Sequence, residues 1–325
     1  MDMQNSDKLI TIFGGSGFVG RHVVRSLAKR GYRIRVACRR PDLAGHVVPL
    51  GVPGQIVPVQ ANLRYPASVA AACDGAFAVI NLVGVLFNAG AQSFDGLHVF
   101  GAEAVAKAAR AAQATLLIHM SSLGADLASP SAYARTKAEG EARAKAAFNG
   151  AIILRPSVIF GPEDDFLNKF AAMARFSPAL PLVGGETRFQ PVFVGDVAEA
   201  IAGLIEKSVA DGKTYELGGP EQKTFREILN YILAVTYRKR LLLPLPFPVA
   251  SMLGALVGWL PKPPLTMDQV ESLKTDNVVS PLAETEQRTF AALGVVPKSL
   301  DSVVPSYLYR YRKAGQFSLP STEQK

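Results

Sequence analysis

Short apolar runs alternate with stretches of helical composition through the first half of the chain. Residues 9–13, 33–38, 56–59, 79–83, 116–120 and 151–154 read as strands, most of them rich in Val, Ile or Leu. The segments between them are long enough for crossover helices, the pattern of a parallel sheet. Residues 19–30 and 100–112 have helical composition, and Ala-rich 67–73 suits a short helix stopped by Asp74-Gly75. These features predict an α/β fold with a Rossmann-type, doubly wound parallel sheet.

The alternation breaks down after Pro156, where Pro and Gly become frequent. Residues 188–194 read as a strand, 196–207 as a helix and 215–217 as a further short strand. Thr224-Phe225-Arg226-Glu227 forms a capping box that opens a helix running to about Arg238. A smaller, mostly helical C-terminal lobe is therefore expected. The division is 1–160 for the core and 161–325 for the lobe, with 188–218 returning to the core.

Residues 241–260 are uncharged and about as long as a membrane span. Pro244, Pro246 and Pro248 remove backbone donors, so a spanning helix is not expected. Residues 249–260 suit a short apolar helix, packed into the second lobe or lying in a bilayer interface. Inward packing is the commoner fate of such helices, while Arg238-Lys239-Arg240 would suit anionic head groups.

Composition narrows the classes. Hydrophobic residues make up 49% and charged residues 19% of the 325, which suits a globular chain. The start of the chain is short and polar with no secretory pattern, so a cytoplasmic protein is expected, peripheral at the inner membrane face if residues 238–260 engage it. Cys38 and Cys73 are too few for a cysteine zinc site, and His22, His46, His98 and His119 have no ligand spacing. The net charge of +8 allows attraction to phosphate or anionic membranes, but no basic–aromatic tract points to nucleic acid.

The strongest motif is Gly14-Gly15-Ser16-Gly17-Phe18-Val19-Gly20, set between the first strand and the first helix. Gly14 permits a tight turn, Gly17 lets backbone approach a pyrophosphate, and Gly20 allows close packing of the helix. The helix N-terminus then offers free amides and positive dipole to phosphates. An acid usually closes the second strand where the ribose hydroxyls of NAD are bound. Here the chain reads Ala37-Cys38-Arg39-Arg40. A guanidinium binds a 2′-phosphate that an acid would repel, so NADP(H) is preferred over NAD(H), with Arg39 first and Arg40 supporting it.

Tyr133 and Lys137 stand four residues apart on one predicted helix face. A cation there lowers the phenol pKa and suits proton exchange with a carbonyl or alcohol. Ser121 and Ser122, ending the fifth strand, could polarise the same oxygen. With these residues the chain resembles the short-chain dehydrogenase/reductase superfamily, in its extended and atypical branches. That resemblance implies a Ser122, Tyr133, Lys137 triad, Asn62-Leu63 beside the adenine, Leu82-Val83-Gly84 beside the cofactor ribose, and Pro156-Ser157 near the nicotinamide.

The segments Arg155-Pro156-Ser157-Val158-Ile159-Phe160-Gly161-Pro162-Glu163-Asp164, Phe166-Leu167-Asn168 and Gln190-Pro191-Val192-Phe193-Val194-Gly195-Asp196-Val197 narrow the likeness. They resemble the NADPH-binding accessory-subunit family of respiratory complex I and its bacterial relatives. That resemblance implies a largely structural NADPH and partners in complex I or in quinone biosynthesis. An active NADP(H)-dependent oxidoreductase or epimerase using the triad is the alternative.

Overall fold

The computed structural model describes residues 5–90, 92–258, 260, 263 and 265–317. The apolar runs of the first half pair side by side. In chain order they are β1 (Leu9–Phe13), α1 (Phe18–Lys29), β2 (Arg33–Cys38), β3 (Ile56–Gln60), α2 (Pro66–Cys73), β4 (Ala78–Asn81), α3 (Phe100–Ala111), β5 (Leu116–Met120), α4 (Ala132–Ala147) and β6 (Ile152–Pro156). There follow β7 (Ile159–Phe160), α5 (Leu167–Phe176), β8 (Ala179–Val183), β9 (Arg188–Phe189), β10 (Val192–Phe193), α6 (Val194–Lys207) and β11 (Thr214–Leu217). Next come β12 (Lys223–Thr224), α7 (Phe225–Val235), β13 (Leu241–Leu245), α8 (Phe247–Val257) and α9 (Met267–Ser272).

Seven parallel strands form one sheet in the order β11-β6-β5-β4-β1-β2-β3. The order reverses direction at β1, so a crevice opens beyond the carboxyl ends of β1 and β4, where such sheets bind ligands. The register sets Phe13 opposite both Ala37 and Asn81, which brings the turns after β1, β2 and β4 to one edge. Ile10, Ile12, Ile80, Ile118 and Ile152 are fully buried, as both-face coverage by helices requires.

The chain divides into two compact units. The first holds the described residues up to Pro156, Gly195–Leu217 and Ser280–Val296. The last of these segments covers the edge strand: the Ser280 N–H donates to Glu216 Oε2, and Arg288 O accepts from the Glu216 N–H. Pairing an edge in this way removes its open hydrogen-bonding row. The second unit takes Ser157–Val194, Gly218–Val279 and the described residues from Pro297. Its core packs Leu167, Ala171, Phe225, Ile228 and Ile232 of α5 and α7 against Leu300, Val304 and Tyr307. The capping box of α7 is present, with Glu227 accepting from the Thr224 N–H and Thr224 Oγ1 accepting from the Glu227 N–H.

Several boundaries differ from those read in the sequence, each for a local reason. The fourth strand stops at Asn81 because its Oδ1 accepts the Val83 N–H and turns the chain. Residues 188–194 form two short strands, not one. Gln190 breaks them, since its N–H donates to Asn277 O and its side chain to Gly219 O. The helix expected to reach Arg238 ends at Val235, where Thr236 Oγ1 donates back to Ile232 O. The apolar run 241–260 divides into β13, paired in parallel with β8, and α8. Inward packing of α8 is not observed. Only its small residues Ala250 and Gly254 are buried, and Met252 and Leu256 are about 60% exposed. Trp259, in the same expected helix, lies outside the described residues.

Candidate functional site

The turn after β1 is shaped by what a side chain would strike. Gly14 adopts φ +78, the left-handed region that L residues avoid. A Cβ on Gly20 would stand 2.2 Å from Gly14 O and 2.6 Å from the Gly15 backbone, so α1 lies directly on the turn. The close contact that Gly20 permits is thus with the turn's own backbone rather than with the sheet. Gly17, the N-cap residue, supplies no side-chain cap to the first-turn amides. Those amides, including the N–H groups of Phe18 and Val19, have no partner within the helix. They form a cradle for an anion, with Gly15 and Ser16 completing the turn.

At the end of β2, Arg39 is exposed and makes no hydrogen bond or ion pair among the described residues. Arg40 does not share this freedom. Its guanidinium holds Asp42 bidentately at 2.9 and 2.6 Å, so the supporting role expected of it toward a 2′-phosphate would compete with that pair. Asn62 is committed locally, its Oδ1 accepting the Arg64 N–H, while Leu63 packs against α3 at Gly101.

The loop after β4 joins the turn to α4. The Leu82 N–H donates to Phe13 O, and a methyl on Gly14 would lie 3.3 Å from the Leu82 carbonyl carbon. On its other side, a methyl on Gly84 would stand 3.7 Å from both His98 Nε2 and Lys137 Nζ. Leu82, Val83 and Gly84 therefore run between the glycine turn and the Lys137 ammonium. Ser131 caps α4, accepting the Ala134 N–H, and this helix carries Tyr133 and Lys137 one turn apart. Lys137 is buried and donates to Met120 O at 2.7 Å. The Arg155 fork holds Glu141 of the same helix at 2.8 and 2.7 Å. Arg155 thus braces α4 from β6.

Two histidines without ligand spacing belong to this neighbourhood. The Val85 N–H donates to His98 Nε2, which leaves the ring proton on Nδ1 facing Thr136 Oγ1. His98 stacks on Phe94, and the Tyr133 ring meets both edge-on at 5.9 and 5.5 Å. Burial, followed by the Lys137 charge, pushes His98 down to about 3. His119, beside Asn81, is pushed to about 3 by burial, then by Lys137 and His98. Both rings are neutral, so Lys137 is the charged group of the cluster. A single histidine in the otherwise apolar strand Leu116–Met120 was the available signal for His119; nothing in sequence spacing marked His98 or Thr136.

Polar atoms remain unsatisfied here. Ser121 Oγ, Ser122 Oγ and His119 Nε2 are buried and without a hydrogen-bond partner. Native interiors rarely leave such groups unpaired, so a polar ligand fits. Pro156 ends β6, its carbonyl accepting the Leu123 N–H. Ser157 falls in the second unit, where its hydroxyl is engaged with Asn277 Oδ1 at 2.7 Å. The motif from Gly161 to Asn168 is also structural. Asp164 is buried and accepts from the Gly161 and Asn168 N–H groups and from the Tyr307 hydroxyl.

Fold and turn together define a dinucleotide-binding Rossmann protein of the short-chain dehydrogenase type. Residues 10–218 match the NAD dependent epimerase/dehydratase family, and the chain belongs to that family. It is 36% identical over 318 residues to NADH dehydrogenase [ubiquinone] 1 alpha subcomplex subunit 9, mitochondrial, of Arabidopsis thaliana, covering 94% of this chain and 78% of that protein. It is 34% identical over 258 residues to the ceramide reductase of Caulobacter vibrioides, covering 77% of each. Among solved structures it resembles an NADPH-dependent quinone oxidoreductase from Escherichia coli complexed with NADPH. The TM-score is 0.70 at 20% identity, over 92% of this chain and 99% of that one, a likeness of fold.

Burial pushes the Lys137 ammonium down to about 8, with Glu141 pulling the other way. Below that pH both folded and unfolded chains carry the charge, and its burial cost is fully present. Between about 8 and the ordinary 10.5 the folded chain alone loses the proton, so the cost fades as pH rises. Lys137→Met is therefore expected to stabilise the protein at pH 7 by on the order of 2 kcal/mol in urea unfolding. The gain should shrink by pH 10. An equal loss of stability at both pH values would contradict a buried, costly ammonium.

Proposed function

We propose that this chain holds NADP(H) at the glycine turn as a largely structural ligand, and acts as an accessory protein of a complex I-type or quinone-linked assembly. The observation that carries the cofactor reading is Arg39, an unpaired guanidinium at the end of β2 where NAD-selective sites place an acid. The fork suits a phosphate dianion geometrically and by charge. Phe18, Val19 and Gly20 would offer first-turn amides to the pyrophosphate, and Lys137, Ser121 and Leu82–Gly84 would line the ribose and nicotinamide end. Similarity across 94% of the chain to a complex I subunit supports the accessory role.

A specific observation favours a second reading, that of an active NADP(H)-dependent oxidoreductase or epimerase. Ser122 Oγ is buried without a hydrogen-bond partner, two residues after the Met120 carbonyl that holds Lys137, and a ceramide reductase is among the relatives. When bound, the nicotinamide supplies or accepts hydride. Tyr133 would pass the proton, Lys137 would hold the phenol toward its anionic form, and Ser122 would donate to the substrate oxygen.

The exposed side of the second unit supports peripheral membrane contact through residues 238–260. Leu241 and Leu243 of β13 and Val249, Met252, Leu253 and Leu256 of α8 are exposed. Beside them Arg238 is lowered by partial burial and then by the charges of Arg240 and Arg175. Crowded guanidiniums next to an apolar strip suit anionic lipid at a bilayer interface. Among the described residues no helix is long and apolar enough to cross a membrane.

Three outcomes are expected. Arg39→Asp should weaken NADPH about thirtyfold or more, some 2 kcal/mol, and NADH only marginally in fluorescence titrations; equal losses would sink the 2′-phosphate assignment. NADPH bound by the purified protein should survive incubation with quinones and carbonyls, whereas its oxidation would select the second reading. Vesicles containing anionic lipid should pull down the wild type and release it when Met252 and Leu256 are both replaced by Ser. Identical sedimentation of the two proteins would remove the membrane contact.

A further inference from the structure

We infer that His98 is a positioning residue, which fixes the loop after β4 against α4 and so sets the nicotinamide end of the nucleotide site. This rests on the reading that the chain binds NADP(H). His98 lies in one wide, π-helical turn, Asp95–Val99, that leads into α3. Such turns are rare and cluster at functional sites. A side chain on Gly140 of α4 would run into His98 O, so this turn and α4 are in direct contact.

The His98 ring is one link in an ordered chain of hydrogen bonds. The Val85 N–H donates to Nε2 at 3.1 Å, and Nδ1 is 3.1 Å from Thr136 Oγ1. Thr136 Oγ1 in turn donates to Ala132 O at 2.8 Å, which leaves its lone pairs for the ring. Every hydrogen then has one place: amide to Nε2, Nδ1–H to hydroxyl, hydroxyl to carbonyl. Only the neutral ring with its proton on Nδ1 completes the chain. Burial, followed by the Lys137 charge, keeps it neutral. The ring also stacks on Phe94 at 5.3 Å and meets the Tyr133 ring edge-on. One side chain therefore holds the backbone after β4, the α4 turn that carries Tyr133 and Lys137, and the Tyr133 ring.

This link bears on one end of the site only. In the sheet, β4 and β5 lie on one side of β1, while β2 and β3 lie on the other. Arg39 and Asn62 follow β2 and β3, so the adenine end lies across β1 from His98. Leu82–Gly84 instead run from the glycine turn toward Lys137, and a methyl on Gly84 would stand 3.7 Å from His98 Nε2. The loop is thus tied in place before any nucleotide binds. Without the ring, the Val85 amide loses its acceptor, and binding has to supply the order that His98 now provides.

The test is calorimetric titration of the full chain with NADPH and with adenosine 2′,5′-bisphosphate, which carries the adenine end alone. His98→Leu should lose about tenfold or more in NADPH affinity and less than about twofold in bisphosphate affinity. His98→Gln, whose amide oxygen can accept the Val85 N–H, should recover most of that loss. Thr136→Val keeps the side-chain shape and removes the acceptor for Nδ1–H. It should show a smaller loss, again with NADPH alone, and it carries the test if the Leu variant does not fold. Equal losses with both ligands, or unchanged NADPH affinity in the Leu and Val variants, would overturn the positioning role while leaving the cofactor reading intact. A Gln variant as weak as the Leu variant would overturn the hydrogen-bonded link. A wild type that binds neither ligand would overturn the cofactor reading and this inference with it.

Discussion

The nucleotide end of the molecule depends on one close approach, that of α1 to the turn after β1. With hydrogen at Gly20, the helix lies against the carbonyl of Gly14 and the backbone of Gly15; a methyl group would stand 2.2 Å from that carbonyl. The first-turn amides then converge on the edge where β1, β2 and β4 end. Any side chain at Gly20 would push the helix axis away and scatter the amides, whatever the rest of the sheet did. The sheet register depends on the apolar strands, but the cradle depends on this contact.

Around the cradle the polar groups fall into two kinds. Some are already spent: Arg40 on Asp42 and Asn62 on the Arg64 amide. Others are left over: the Arg39 guanidinium, and the buried oxygens of Ser121 and Ser122. Arg39 follows the end of β2, and the two serines follow the end of β5. Lys137 is held by Met120 O, just before the serines, and kept charged at neutral pH despite deep burial. A buried ammonium is costly for stability, and it fits a position whose value lies in binding.

The parallel sheet was legible because its strands are continuous apolar runs and its first turn has glycines where no Cβ fits. The positions of Gly14, Gly20, Tyr133 and Lys137 followed from that frame. What pattern could not show was partnership. Nothing in Arg39-Arg40 distinguishes the free guanidinium from the paired one, because Asp42 reaches Arg40 only once the chain turns after β2. The resemblance placed Ser157 near a cofactor, while its hydroxyl bonds across 120 residues of sequence to Asn277. His98 was invisible for the same reason: its role comes from Val85, Thr136 and Tyr133, which only the fold assembles. Residues 249–260 misled in the opposite way. An apolar helix predicts burial, and here only its small face is buried.

The most direct measurement is native mass analysis of the protein isolated from membranes without added nucleotide. One NADP(H) per chain, retained together with partner subunits, is the expected result. A chain that carries NAD(H), or that carries no nucleotide and is recovered alone, would contradict the proposal that the glycine turn holds a resident, structural NADP(H).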